Sequence, residues 1–316
     1  MNQANANRSS QHHVVIGAGA TGTATAKLLV ARGHRVTVIT RSGSGPVEPG
    51  IELVAADASN RETLTGLTVG AAAIYNCANP PYDRWITDWP PLANSLLAAA
   101  EANDAVLVTL SNLYVYADPI GPMHATDPLD PSSVKGGIRA KMWQDALAAH
   151  QAGRVRVTEA RASDFIGPGT GANGHMGDRV VEPVLKGKSV SVMGRADVEH
   201  SWSAIDDVAE TLVTIGSDER AWGRAWHVPT AAPMTQRELI HRMCSLAGIE
   251  PVKVRTIPKL ALTVGGVFVP MLRELKEMRY QFTAPFVLDS QETTNTFGQK
   301  PTPLDDTLRA MLASYK

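Results

Sequence analysis

The chain has 316 residues, of which 44% are hydrophobic and 19% are charged, and its 30 basic and 31 acidic residues give a net charge of −1. These values are typical of a globular protein with a large core and exclude the basic excess of a nucleic-acid-binding surface. The two cysteines, Cys77 and Cys244, fit no metal or redox spacing. We therefore expect core thiols in a reducing cytoplasm, no metal site and no nucleic-acid partner.

Residues 1–12 are polar, with one charge at Arg8, and lack the apolar core of a signal peptide or anchor. We expect this tail to be disordered. The most apolar later stretch, residues 260–272, is interrupted by two glycines and Pro270. Because it is too short to cross a bilayer, we expect no membrane partner.

Residues 14–22, Val-Val-Ile-Gly-Ala-Gly-Ala-Thr-Gly, form an apolar run that ends in a glycine-rich turn. A helical pattern follows, and a second apolar strand is predicted at residues 36–40. This order of strand, G-x-G-x-x-G, helix and strand predicts a dinucleotide site, because the glycines let a diphosphate approach free N–H groups at a helix start. The predicted diphosphate-binding residues are Gly17, Gly19, Ala20, Thr21 and Gly22.

The end of the second strand indicates which dinucleotide binds. Folds that prefer NAD usually have an acid there to bind the ribose 2′-OH. This chain has Thr40, Arg41 and Ser42 instead, with no acid before Glu48. A guanidinium can bind the 2′-phosphate of NADP through two N–H groups, so we predict NADP, with NAD as the alternative.

Strands and helices alternate through the first half. Strands are predicted at residues 14–17, 35–40, 52–55, 72–76, 105–110 and 155–161. Helices are predicted at residues 21–32, 60–65, 89–102 and 134–151. This alternation predicts an α/β protein with a Rossmann-type, doubly wound parallel sheet whose ligand lies beyond the carboxyl ends of the strands.

The pattern changes after a glycine-rich loop at residues 167–174. Helices are predicted at residues 206–216, 235–247 and 303–314, and strands at residues 189–193 and 225–228. We expect three parts: a tail (1–12), a dinucleotide-binding domain (13–166), and a smaller, mainly substrate-binding lobe (167–316) that returns partly to the first domain.

These residues resemble the short-chain dehydrogenase/reductase superfamily, in its extended NAD-dependent epimerase/dehydratase branch. Beyond the glycines, residues 56–58, 76–79, 110–116, 161–169 and 200–209 resemble segments of that branch. The resemblance implies an adenine contact from Asp57, a ribose-backing segment after the fourth strand, and a segment passing the nicotinamide. The implied cofactor-binding residues are Asp57, Ala58, Asn76, Cys77, Ala78, Asn79 and Phe165, together with Arg41 and Ser42. A homodimer, common in the superfamily, is a further expectation.

The chain departs from the family pattern at the catalytic residues. Its Tyr-x-x-x-Lys is absent, since no tyrosine occurs between Tyr116 and Tyr280. One register places Lys135 at the tyrosine position and Arg139 at the lysine position. A shift of two residues places Gly137 and Lys141 there instead. Asn112 stands where the family's serine or threonine is expected.

The substituted residues retain useful chemistry. Both Lys135 and Arg139 are expected to contact the cofactor. Arg139 would bind the nicotinamide ribose, and Lys135 would act as a proton donor if it is buried. Asn112 would donate to a developing oxyanion, and Tyr114 is the nearest spare phenol. The predicted catalytic residues are Asn112, Tyr114, Lys135 and Arg139.

His175, His200 and Trp202 are the candidates for substrate binding. We expect an NAD(P)-dependent oxidoreductase or epimerase-like enzyme that acts on a small carbonyl or alcohol compound. A redox-neutral reaction with a retained cofactor remains open. The alternative from another class is a sensor or scaffold that binds NADP or NADPH without turnover.

Overall fold

A computed structural model describes residues 10–116, 121–172, 174–258 and 277–316. Most of the predicted tail (residues 1–9) and the apolar stretch at residues 260–272 lie outside the described residues. Across the described ranges, no helix has the length and apolar character needed to span a membrane.

The strands form one large sheet and three two-stranded sheets. They are β1 His12–Ile16, β2 Arg35–Thr40, β3 Ile51–Ala55, β4 Ala71–Asn76, β5 Val106–Asn112, β6 Arg156–Ala162, β7 Asp164–Ile166, β8 Val190–Val192, β9 Glu199–His200, β10 Trp202–Ala204, β11 Arg224–His227, β12 Met234–Thr235 and β13 Val254–Thr256. The large sheet has the order β11-β6-β5-β4-β1-β2-β3, and all its pairs are parallel. The predicted doubly wound parallel sheet is therefore confirmed.

Helices cover both faces of this sheet. They are α1 Ala20–Ala31, α2 Arg61–Leu67, α3 Trp85–Ala102, α4 Val134–Gln151, α5 Asp178–Leu185, α6 Ile205–Ser217, α7 Gln236–Ala247, α8 Gln291–Phe297 and α9 Leu304–Ala313. Helices α1 and α6 pack together on one face, and α2, α3 and α4 cover the other. The strand order reverses between β1 and β4, so the ligand crevice of this architecture lies at their carboxyl ends.

The second half of the chain builds a core of its own. One hydrophobic cluster consists only of residues from Ile166 onward and includes Val181, Trp202 and Met243. The second half also returns to the first, since β11 extends the large sheet beside β6 and α6 packs on α1.

Both cysteines are buried and unpaired, as predicted for core thiols. Cys77 packs in the core between the sheet and α1, and Cys244 packs in the core of the second half. Burial raises the pKa of the Cys77 thiol to about 12, so this thiol stays protonated and unreactive.

Two elements begin two or more residues before their predicted starts. Strand β1 begins at His12, two residues early, because His12 pairs with Arg35, so the last residue of the predicted tail is ordered. Helix α3 begins at Trp85, four residues early, although Pro90 and Pro91 lie inside it. The indole N–H of Trp85 donates to the Pro80 carbonyl at 2.9 Å, which anchors this extra turn.

His13 makes the fold sensitive to acid. Its ring is buried in β1 and neither ring nitrogen has a hydrogen-bond partner among the described residues. Burial, and then the charges of His34 and His12, lower its pKa to about 4. Between pH 6.5 and 4 the unfolded chain therefore binds a proton that the folded chain does not, and stability falls as the pH falls.

We expect this histidine alone to make the free energy of unfolding about 2 kcal/mol lower at pH 5 than at pH 8. The His13→Phe variant should lose that part of the pH dependence in urea denaturation at the two pH values. His124→Gln, at an exposed position, is the matched control. Equal pH dependence in His13→Phe and the wild type would contradict this expectation.

Candidate active site

The glycine-rich turn joins β1 to α1 and leaves the start of the helix open. Gly17 has a φ of +93°, which favours glycine, and a Cβ on Gly22 would lie 2.0 Å from the Gly17 carbonyl oxygen. Gly19 is the N-cap of α1, and no side chain of the described residues caps this helix. The first turn, which includes Ala20 and Thr21, contains no acidic residue. Free N–H groups at the positive end of a helix dipole favour an anion such as a diphosphate.

The end of β2 has a positive side chain and no available acid. Arg41 and Ser42 are exposed, and the charge of Arg41 acts on the Asp57 carboxylate after β3. Hydrogen bonds from Ser59 are the main cause of the lowered pKa of Asp57. Glu48, the first acid after β2, forms an ion pair with Lys27 at 2.6 Å. Arg41 and Asp57, two of the residues predicted to bind the adenosine end, are thus close enough for their charges to interact, and Ala58 follows Asp57 directly.

The segment after β4 lies against the glycine-rich turn through its backbone. A Cβ on Gly17 would be 2.9 Å from the backbone nitrogen of Ala78. The side chains of Asn76 and Cys77 are buried on opposite faces of the sheet. A cofactor in the crevice would therefore contact these two residues through their backbone atoms. The Asn79 side chain is exposed, and its Oδ1 accepts a hydrogen bond from Arg139 at 3.4 Å.

Helix α4 buries the residues of one register for the altered catalytic residues and exposes the lysine of the other. Lys135 and Arg139 are 3% and 4% exposed and lie one turn apart on the helix. Lys141 is instead exposed and pairs with Asp145 one turn along α4. The register that places Lys135 and Arg139 at the family's positions is therefore the one that brings two cations to the crevice.

The Arg139 guanidinium lies against two tryptophan rings near the carboxyl ends of the strands. Its guanidinium stacks on Trp85 and Trp89, at 4.9 and 4.1 Å from the ring centroids, and donates to the Leu110 carbonyl at 3.3 Å. Burial lowers the pKa of Arg139 to about 10, although the negative charge of Glu159 acts to raise it. Arg139 is therefore still charged at neutral pH, with its donors at the carboxyl ends of β4 and β5.

Lys135 forms an ion pair that the sequence did not indicate. Its Nζ lies 2.7 Å from Glu277 Oε2, and its backbone N–H donates to the other oxygen of that carboxylate. The ammonium lies 5.5 Å from the centroid of the Tyr82 ring. Lys135 is thus held beside an aromatic wall by a residue 142 positions away in the chain.

Two phenols meet next to Lys135. The hydroxyls of Tyr82 and Tyr114 are 2.8 Å apart, and burial raises the pKa of both groups. Asn112 Oδ1 accepts from the backbone N–H of Tyr114 at 3.1 Å, which uses its carbonyl oxygen for the turn. All four predicted catalytic residues thus lie around the end of β5 and the start of α4, and Tyr82 is an unpredicted addition.

Gly136 allows this close approach of α4 to the end of β5. A Cβ at Gly136 would be 2.1 Å from the Tyr114 carbonyl oxygen, whereas one at Gly137 would meet nothing within 4 Å. We expect Gly136→Ala to destabilise the fold by about 2 kcal/mol and to displace Lys135 from Tyr82. Gly137→Ala, the matched control, should stabilise it by about 0.5–1 kcal/mol. Chemical denaturation measures both, and equal stabilities would contradict this account.

The predicted substrate residues gather around Phe282. The His175 and His200 rings stack on Phe282 at centroid distances of 4.1 and 4.8 Å, and Trp202 lies 4.5 Å from His200. The Trp202 indole donates to a backbone carbonyl. The three predicted residues are therefore brought together.

An acid that the prediction did not name joins this group. Asp164 Oδ2 lies 2.8 Å from His200 Nε2, and Phe165 follows it in β7. Burial raises the pKa of Asp164, but the hydrogen bond and charge of His200 outweigh this and the net shift is downward. The charge of Asp164 also acts on Tyr82 and Tyr114, which places the acid on the phenol side of the crevice. Its position just after a sheet strand was the available sequence signal.

The parallel sheet, the reversal of strand order and the glycine-rich turn define a Rossmann-type α/β protein. The model of the NAD dependent epimerase/dehydratase family matches residues 13–227. The chain belongs to this family, so the predicted resemblance is confirmed. No curated protein matches the sequence at a significant level.

Solved structures with the same fold include enzymes of this family type. The UDP-glucose 4-epimerase of Thermotoga maritima, solved with UDP-glucose, has a TM-score of 0.77 at 16% identity over 96% of this chain and 98% of its own. The dTDP-glucose 4,6-dehydratase of Bacillus anthracis, in complex with NAD, has a TM-score of 0.78 at 17% identity over 97% and 96%. An epimerase of Methanothermobacter thermautotrophicus has a TM-score of 0.82 at 15% identity over 97% and 92%. At such identities the likeness shows the fold alone.

Proposed function

We propose that the protein binds NADP, with NAD as the weaker ligand, and acts as an oxidoreductase or epimerase-like enzyme on a small carbonyl or alcohol compound. The neighbouring dehydratase binds NAD, which supports a nicotinamide dinucleotide in this crevice. The exposed Arg41 favours the phosphorylated form, and Glu48, the first acid after β2 in the sequence, is engaged in an ion pair with Lys27.

The observation on which this proposal depends is the meeting of Lys135, Arg139 and Tyr114 at one edge of the crevice. A bound nicotinamide would accept or supply the hydride. Arg139 would orient the ribose with its guanidinium donors, because its stacking on Trp85 and Trp89 fixes the plane of the group.

The groups that would transfer a proton lie on the side of the crevice where Lys135 and the two phenols are. The raised pKa of Tyr114 keeps its phenol protonated at neutral pH, so it can donate a hydrogen bond to a substrate oxygen. The neighbouring Tyr82 hydroxyl, at 2.8 Å, can pass a proton on to it. The amide nitrogen of Asn112 would stabilise developing negative charge on the same oxygen.

We further propose that residues 13–166 are the dinucleotide-binding domain and that residues 167–316 mainly form the substrate side. The separate hydrophobic core of the second half supports this division. The substrate would contact His175, His200 and Trp202, which together with Asp164 form an aromatic wall with one acid.

Arg41 provides the test of cofactor choice. We expect Arg41→Ala to weaken NADP binding by about 10-fold or more, because a charge-assisted pair to the 2′-phosphate is lost, and to leave NAD affinity unchanged. Fluorescence titration with both nucleotides measures this. Arg35→Ala, at the other end of β2, is the matched control. Wild-type protein that binds NAD at least as tightly as NADP, with unchanged NADP affinity in Arg41→Ala, would refute the assignment.

Turnover is tested by the absorbance of NADPH in the presence of a panel of aldehydes and ketones. We expect oxidation with at least one member and none in a variant that cannot bind the cofactor. If the protein binds the cofactor tightly, oxidises NADPH with no member of the panel and retains a partner protein on pull-down, the sensor function would be favoured over the enzyme.

A further inference from the structure

The substrate side of the crevice has an acid with an unused oxygen. Asp164 lies two residues beyond the end of β6, and its side chain is 21% exposed. Its Oδ2 accepts a hydrogen bond from His200 Nε2 at 2.8 Å. The side chain has no other hydrogen bond or ion pair with a described residue, and solvent reaches Oδ1. This oxygen is therefore open to a ligand.

The pair of Asp164 and His200 offers no attraction to an anion. Burial raises the pKa of Asp164, but the hydrogen bond and charge of His200 outweigh burial, so the acid is ionised at neutral pH. With His200 protonated the pair is neutral, and with His200 neutral the pair is negative. An anionic group on a substrate would therefore meet either no charge or a charge of its own sign.

His175 adds a neutral acceptor on the same side. The Gln236 amide nitrogen donates to two backbone carbonyls, so the amide oxygen is the atom that accepts from His175 Nε2, at 2.6 Å. The other ring nitrogen, Nδ1, is then an acceptor in the neutral ring. Burial lowers the pKa of His175, which keeps the ring neutral at neutral pH. The charge of Asp164 acts on this ring, so the two acceptors are neighbours.

The basic side chains of the crevice make their contacts elsewhere. Lys135 is already ion-paired, and Arg139 stacks on two tryptophan rings. Arg179 is exposed, and its charge acts on His175 less strongly than the charge of Asp164 does. Among the residues that the structure describes, no lysine or arginine forms an ion pair with Asp164. The free oxygen of Asp164 therefore lacks a counter-charge from either type of residue.

A primary ammonium group matches this oxygen. It supplies a positive charge and three N–H donors, so it can pair with Asp164 and still donate to a neutral acceptor such as His175. A hydroxyl could donate to the same oxygen but would leave the charge of a partly buried carboxylate uncompensated.

We propose that the substrate is an amino-carbonyl or amino-alcohol compound whose ammonium group binds Asp164. The substrate assignment rests on the proposed function, which supplies the reacting carbonyl or alcohol. The ammonium site itself needs only the open crevice.

The probes are methyl ketones that differ in one ring substituent. The meta and para isomers of (aminomethyl)acetophenone carry the ammonium group, the two ethylacetophenones are neutral compounds of the same shape, and para-acetylbenzoate is anionic. Isothermal titration of the full chain with NADP present measures binding, and the absorbance of NADPH measures reduction. In the reduction a hydride passes from NADPH to the carbonyl carbon and a proton passes to the carbonyl oxygen, so each NADPH consumed forms one molecule of alcohol.

At least one aminomethyl isomer is expected to bind about 10-fold or more tightly than its ethyl counterpart and than para-acetylbenzoate. Asp164→Asn should abolish this preference, because the asparagine oxygen still accepts from His200 but carries no charge. Asp104→Asn is the matched control and should keep the preference. It makes the same substitution before the amino end of β5, where the side chain is 93% exposed.

Three results would overturn the proposal. These are no binding of either aminomethyl isomer to the wild type, equally tight binding of the ethyl or the anionic compound, and a preference that survives Asp164→Asn. The first two comparisons use the wild type alone, so they decide the proposal even if Asp164→Asn does not fold. Failure of the proposed function gives a different result, since the preference would still depend on Asp164 while no probe oxidised NADPH. That result would overturn the substrate assignment and support the ammonium site.

Discussion

Replacing Gly19 with alanine is expected to weaken dinucleotide binding by at least 10-fold while leaving the melting temperature unchanged. Gly19 has a φ of −67°, which any residue adopts, and an added Cβ would meet no atom within 4 Å. The fold therefore tolerates a methyl group here. We expect a bound diphosphate not to tolerate it, since a glycine at this position would let the diphosphate approach the backbone. A 10-fold loss corresponds to about 1.4 kcal/mol.

The neighbouring glycines provide the contrast. Gly22→Ala should lower the melting temperature as well, because its Cβ would lie 2.0 Å from the Gly17 carbonyl oxygen. Gly66→Ala in α2 is the matched control, since its Cβ would also meet nothing. Isothermal titration with NADP and differential scanning fluorimetry provide the two readings. A Gly19→Ala variant that binds NADP as tightly as the wild type would refute the diphosphate site.

The main sheet could be predicted from the sequence because its strands are buried on both faces. Such strands appear as continuous apolar runs, so β2 was predicted at its observed bounds and β4 within one residue. The short elements of the second half left no comparable pattern. Helix α5 has eight residues with Pro183 inside it, and β9 has only two residues.

The geometry of the glycine-rich turn was more accessible to prediction than the contacts of Lys135. Gly17 and Gly22 act within one local turn, where spacing along the chain determines position in space. The ion pair between Lys135 and Glu277 joins residues 142 positions apart, and no local pattern indicates it. Tyr82 could have been suspected, because it follows β4 as Tyr114 follows β5 and neighbouring parallel strands end at the same edge.

Removing both cations of α4 is expected to reduce kcat/KM at least 100-fold while the chain stays folded. In Lys135→Met with Arg139→Met, the proton-donor side and the ribose anchor lose their charges together. The methionine at position 139 can still pack against Trp85 and Trp89. Glu159, whose charge acts on Arg139, keeps its ion pair with Arg161. Glu277 keeps contact with water, since its side chain is 25% exposed.

The matched control is Lys141→Met with Arg154→Met, the same two substitutions at exposed positions. It should retain full activity, measured with a substrate found in the NADPH assay. The Arg139→Lys variant distinguishes the effect of the charge from that of the planar guanidinium. A lysine keeps the positive charge but has no planar group with fixed donors, so NADP affinity should fall less than in Arg139→Met. If the double variant at positions 135 and 139 turns over as fast as the wild type, these residues are structural, and the phenols of Tyr82 and Tyr114 are left as the proton donors.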